Sequence, residues 1–190
     1  MRKLLLGAGL AVALLSGGAA AQLPQGPIVQ PQLPPGTPTP QIQPTCMVDL
    51  AITSIRLNKL SQPGSATVEV EVTNLGPSTW NSAAGQQQVN LVVHNNNTNN
   101  DFTLSVPFGG RRVARNGRAA LVRSPAIANA FDAHEFAGTV QASLAFDPDI
   151  AIDGNACNDD RNAANNSFGL TTEQVWGFLS GTPRTQLFRR

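Results

Sequence analysis

Hydrophobic residues recur at every second position through most of this chain, and a two-residue period predicts strands. Val48, Leu50 and Ile52 alternate before the phase shifts to Ile55 and Leu57, so a strand over 48–57 carries a bulge near Thr53-Ser54. Val68, Val70 and Val72 fall on one face of 66–73, with Glu69, Glu71 and Thr73 on the other. Val89, Leu91 and Val93 mark a third strand over 87–94, and Phe102, Leu104 and Val106 a fourth. A weaker fifth covers 119–123. The sixth, 139–146, sets Val140, Ala142, Leu144 and Phe146 against Thr139, Gln141, Ser143 and Ala145. A short apolar run after Asn166 makes the seventh. Gln62-Pro63-Gly64, Asn74-Leu75-Gly76-Pro77-Ser78 and the Asn-rich tip 95–100 supply turns between them. Seven short strands so spaced, with no helical period before the tail, predict an all-β antiparallel sandwich.

Both ends of the chain break this pattern. Arg2-Lys3, the apolar run 4–15 and Ala19-Ala20-Ala21 before Gln22 have the layout of a secretory signal peptide, residues 1–21. The apolar run is too short to span a membrane, so no transmembrane segment is expected in the mature chain. Residues 22–44 are so rich in proline that neither sheet nor helix is available, and the stretch reads as a semi-rigid spacer or a ligand for a proline-recognising module. The sandwich is expected over 45–168. In the tail, 169–190, Val175, Trp176, Phe178 and Leu179 form an apolar knot before a basic finish. Thr171-Thr172-Glu173 could cap a short helical turn there. The knot either folds back on the sandwich or docks to a partner or membrane surface, which makes Trp176 and Phe178 binding candidates.

Composition narrows the function. Charged residues are 13% of the chain and the net charge is +1, so no global field draws it to nucleic acid. Aromatic residues are 5%, with no tyrosine, which counts against a base- or sugar-stacking face. An exported chain meets oxidising conditions. Cys46 and Cys157, lacking metal-type spacing, then read most simply as one disulfide, with two lone thiols as the alternative.

Three features in order carry a resemblance: Asp49-Leu50-Ala51-Ile52 opening the first strand, Val70 through Ser78 closing the second, and Asp147-Pro148-Asp149 followed by Asn165-Asn166. Together they resemble CARDB, the bacterial cell-adhesion-related domain, over about 48–168. The resemblance implies an immunoglobulin/fibronectin III-like β-sandwich and a non-catalytic binding or spacing module with no fixed ligand. Here the approach to the paired asparagines is Asn158-Asp159-Asp160-Arg161-Asn162, and the loop holding Cys157 is longer than the family's.

If consecutive strands run antiparallel, 74–86, 108–117 and 147–162 share one end with the start of the sandwich. Cys46 and Cys157 then meet there, as a disulfide requires. The same end gathers Arg111, Arg112, Arg115 and Arg118 opposite Asp147, Asp149, Asp153, Asp159 and Asp160. These charges either pair across the loops, or the arginines grip an external anion such as a polysaccharide or a partner's acidic face. Asp147, Asp149, Asp153 and Asn155 are weak calcium candidates, since Ile150 and Ala151 bring no side-chain oxygen and no Glu closes the loop. No cofactor is otherwise indicated. His134-Glu135 lacks the second His of a zinc helix and there is no nucleophile elbow, so a non-enzyme is expected. The expectation is an exported binding or adhesion module, periplasmic or secreted, whose partner is an envelope or extracellular protein or a polysaccharide. The rivals are an accessory subunit docking through its tail and a secreted enzyme with a scattered site.

Overall fold

The computed structural model describes residues 46–148 and 150–190; the expected leader, the proline-rich spacer and Asp149 lie outside them. Ten strands and one helix follow in order: β1 (Leu50–Lys59), β2 (Ala66–Asn74), β3 (Trp80–Ser82), β4 (Gln87–Asn95), β5 (Asn100–Phe108), β6 (Arg111–Val113), β7 (Arg118–Arg123), β8 (Thr139–Phe146), β9 (Ser167–Leu170), α1 (Thr172–Ser180) and β10 (Thr185–Arg189). Two four-stranded antiparallel sheets, ordered β10-β1-β2-β7 and β5-β4-β8-β9, form a sandwich-like fold, and β3 pairs with β6 as a separate ribbon. The seven strands expected from alternation are β1, β2, β4, β5, β7, β8 and β9. No described helix is long and apolar enough to cross a membrane.

The core is what the alternation dictates. Val68, Val70 and Val72 of β2 are buried in one contiguous cluster with Val89, Leu91 and Val93 of β4 and Val140 and Ala142 of β8. The pairing of β1 with β2 shifts register between Ile52 and Ser54. That bulge is why Ile52 and Ile55, three apart, both face inward. Trp80, on the ribbon, is fully buried with its ring centroid 5.8 Å from that of Phe108.

The tail belongs to the fold. A capping box opens α1: the Thr171 hydroxyl accepts from the Gln174 backbone N–H while the Gln174 side chain accepts from the Thr171 N–H. Val175 and Phe178, three apart on one face, are fully buried in the core cluster. Beyond α1 the chain returns as β10, paired to β1 from Asn58↔Thr185 to Ser54↔Arg189. Lys59 fastens the join. Its Nζ donates to the carbonyls of Leu179 (3.0 Å) and Gly181 (2.6 Å), at the negative end of the helix, and stands 5.0 Å from the Phe178 ring centroid. Phe178 is therefore a core residue and not an exposed binding ring, because the amphipathic face that holds it is needed to close the sandwich. Trp176, on the other face, is 39% exposed. A boundary at 168/169 would cut β9 in two.

Candidate functional site

The connections 74–87, 108–118 and 147–166 meet the start of β1 at one end of the fold, as strand parity requires. Asn74 organises the meeting. It is fully buried, and its Nδ2 donates to the carbonyls of Ser78 (2.8 Å) and Val113 (3.0 Å). Its Oδ1 accepts from the backbone of Gly76 (3.1 Å) and Asp49 (3.5 Å). One side chain thus ties the end of β2 to its own turn, to β6 and to the start of β1. Gly76 is required beside it, since a Cβ there would press into the backbone of Met47–Asp49.

The disulfide closes the same end. Cys46 and Cys157 are bonded with Cα atoms 4.9 Å apart, joining positions 111 residues apart in the chain. Neither cysteine is free. The loop around Cys157 is stitched to its neighbours. The Cys157 carbonyl accepts from Asn81 N (2.9 Å), Asn155 Nδ2 donates to the Asn81 carbonyl (2.8 Å), and Val48 bridges Asp160. The sequence alone could not show this bracing, because it depends on the ribbon. Strands of three residues are too short for a period to register.

Of the calcium candidates, Asp153 is already engaged. Asn158 donates to its Oδ2 (2.7 Å) and so does Gln86 (2.9 Å), while Asn155 N reaches its Oδ1 (2.7 Å). These bonds, that from Asn158 foremost, hold its pKa below the usual carboxylate value. The Asn155 Oδ1 accepts from Cys157 N (3.1 Å). Both residues shape the loop through Asx turns. Asp147 lies beside them, its N–H donated to the Gln86 carbonyl at 2.8 Å. Among the described residues, no three Asp, Glu, His or Cys side chains group so as to hold a metal by themselves.

The four arginines separate. Arg118 leaves for the sheet face, its Nε 3.7 Å from Glu71 on β2, beside the Arg123–Glu69 pair at 3.2 Å. Arg111 donates to the carbonyl of Ala119, bracing β6 against β7. Arg112, opposite Asn81 in the ribbon, and Arg115, in the turn after β6, are exposed, and among the described residues neither has an ion-pair partner. The expected pairing of Arg118 across to the acidic loop is replaced by its contact with Glu71, whose strand runs directly alongside.

The hollow at this end, between 85–88 and 145–148, holds about 220 Å³. That is below the range of a typical small-molecule site, roughly 300–1,000 Å³. A surface that grips a larger partner through projecting side chains suits this end better than an engulfing pocket. Compared with known proteins, the chain matches no family model, no curated protein and no solved structure. The CARDB resemblance accordingly stands on its motifs, and what the fold itself establishes is a mostly-β, antiparallel, two-sheet architecture closed by a disulfide.

Proposed function

We propose that this chain is an exported, non-catalytic binding or adhesion module of the bacterial cell envelope, acting in the periplasm or outside the cell. The observation that carries the reading is the loop-rich end itself. A disulfide and the Asn74 network brace it, and Arg112 and Arg115 project from it without ion-pair partners among the described residues. Exposed guanidinium groups on the ribbon and on the turn that follows it suit an anionic partner, a polysaccharide or the acidic face of a protein.

Three further observations support it. The disulfide fits an oxidising, extracytoplasmic compartment. The two antiparallel sheets, β10-β1-β2-β7 and β5-β4-β8-β9, are compatible with an immunoglobulin-type sandwich to which β10 adds an edge strand beside β1, which supports the CARDB reading. Val175 and Phe178 of the tail are taken up in the core, which favours the sandwich over the tail as the binding surface. The test is a pull-down from envelope extract with the chain from Gln22. Capture that disappears on Arg112→Glu/Arg115→Glu supports the proposal. Capture unchanged by that double variant, or turnover in a panel of hydrolase substrates, counts against it.

A further inference from the structure

A set of buried oxygens without donors lies where β1 leaves the disulfide. Asp160 is held against the first strand, its Oδ1 accepting from Leu50 N (3.3 Å) and Asn162 N (3.2 Å), while its Oδ2 is buried and has no hydrogen-bond partner. Asn165 is 8% exposed and its Nδ2 donates to Asp49 Oδ1 at 2.7 Å. The Asn165 amide oxygen is buried and without a donor. Asn166 bears on the Asp160 carboxylate as a side-chain hydrogen-bond donor, while its amide oxygen is buried without a donor.

Every unpartnered side-chain atom in this group is an acceptor; none is an N–H. Buried polar groups in native folds nearly always find partners, and an orphan calls for an ordered water or an ion. Charge discriminates between the two. Asp160 is held on the N–H of Leu50 and so lies next to Asp49 at the start of β1, and no arginine or lysine pairs with either carboxylate among the described residues. Two carboxylates and two buried amide oxygens thus lie on neighbouring residues where the 147–166 connection meets β1, and the Arg190 guanidinium, the cation bound to that connection, is engaged by the carbonyls of Ala164 and Ser167.

We propose that Asp49, Asp160, Asn165 and Asn166 form a calcium site, completed by backbone carbonyls and water. Oxygen-only donors of mixed carboxylate and amide type suit a hard cation with six to eight ligands, and offer neither the nitrogen nor the sulfur that zinc and copper select. With two carboxylates and no third, the affinity belongs in the range of extracellular modules, roughly 10⁻⁴–10⁻³ M. The site is distinct from the loop at Asp153, whose oxygens are satisfied by side-chain and backbone N–H groups. Calcium here would fasten the start of β1 to the connection between β8 and β9.

The test uses the full chain from Gln22, stripped with a chelator and titrated with calcium chloride while thermal unfolding and binding heat are followed. At about 5 mM calcium, linkage over that affinity range predicts a rise in melting temperature of about 3–7 °C. Magnesium should give a smaller rise. Asp160→Asn should abolish the calcium response, with Asp49→Asn as a second variant in case the first fails to fold, whereas Asp153→Asn should retain it. No calcium heat and no thermal shift in the parent chain would overturn the proposal and leave ordered water as the partner of these oxygens. An unchanged response in both Asp160→Asn and Asp49→Asn would overturn it equally.

Discussion

Replacing Asn74 removes a side chain that serves four backbone groups at once. Asn74→Ala leaves the strand's own pairing intact, because the Asn74 N–H still donates to Gly117 (3.0 Å) and its carbonyl still accepts from Asn116 (2.7 Å). What it strands are the buried carbonyl of Val113 and N–H of Gly76 and the part-buried carbonyl of Ser78, around a side chain with no solvent exposure. With each orphaned buried group costing on the order of 1–3 kcal/mol and partial relaxation expected, the loss should be about 3–5 kcal/mol. For a domain of this size that is a fall of roughly 10–15 °C in melting temperature. Asn74→Asp sharpens the reasoning. It keeps the acceptor for Gly76 but turns a carboxylate toward two carbonyl oxygens, so its charged form is penalised in the fold and its folded pKa lies above the unfolded one. Its deficit relative to the parent should grow as pH rises from about 4 towards neutrality. Urea unfolding followed by tryptophan fluorescence at about pH 4.5 and 7 measures both variants. A cost below about 1 kcal/mol for Asn74→Ala would show that the network adds little beyond ordinary hydrogen bonds. An Asp variant relatively more stable at neutral pH would refute the assigned donor and acceptor roles.

Other consequences can be measured on the same footing. Opening the Cys46–Cys157 bond with Cys46→Ser/Cys157→Ser frees a loop of 111 residues and should cost about 5 kcal/mol in the chain-entropy model, read as a drop in the urea midpoint; a cost near zero would mean that the end holds together without it. Trp80 is fully buried with an unpartnered Nε1, so Trp80→Phe should cost less than about 1.5 kcal/mol and Trp80→Ala about 3–5 kcal/mol. Equal costs would show that the indole nitrogen has a partner in solution. A chain ending at Phe168 loses α1 and β10 and uncovers the core; it should lose cooperative unfolding by circular dichroism and bind a hydrophobic dye, whereas a native-like transition would contradict the integrated tail. Asp132, buried, accepts from the backbone of Phe136 (3.0 Å), His134 (2.9 Å) and Glu135 (3.3 Å), which hold its pKa below the ordinary 3.8. The stability this brings is complete above that value and is lost as pH falls through the folded pKa. The melting-temperature gap between parent and Asp132→Ala should therefore narrow only in acid.

How much was legible depends on how each element is encoded. The long strands announce themselves because alternation over eight or nine residues cannot be satisfied by a helix, and even the bulge at Ile52–Ser54 shows as a phase shift. The meeting of Cys46 with Cys157 followed from counting strands. The tail was harder: Val175 and Phe178 share a helical face whether that face meets the core or a partner, and periodicity does not distinguish the two. The ribbon of Trp80–Ser82 and Arg111–Val113 was out of reach, and with it the separate fates of the arginines. Asn74 was visible as a turn residue, but its reach to Val113 is a long-range contact that no local signal encodes. The unpartnered oxygens of Asn165 and Asn166 had a trace in the paired asparagines, while the contact of the Asn165 amide with Asp49 required the fold.

The proposed function places binding at the arginine-bearing end and makes the tail structural. Three chains from Gln22 test it together: the parent, Arg112→Glu/Arg115→Glu, and Trp176→Ala, which removes the one large exposed ring of the tail helix. Each is first shown to unfold cooperatively and then used to capture partners from envelope extract. The arginine variant should lose the captured partner while Trp176→Ala retains it. Retention by the arginine variant together with loss on Trp176→Ala would contradict the proposal and move the binding surface to the tail.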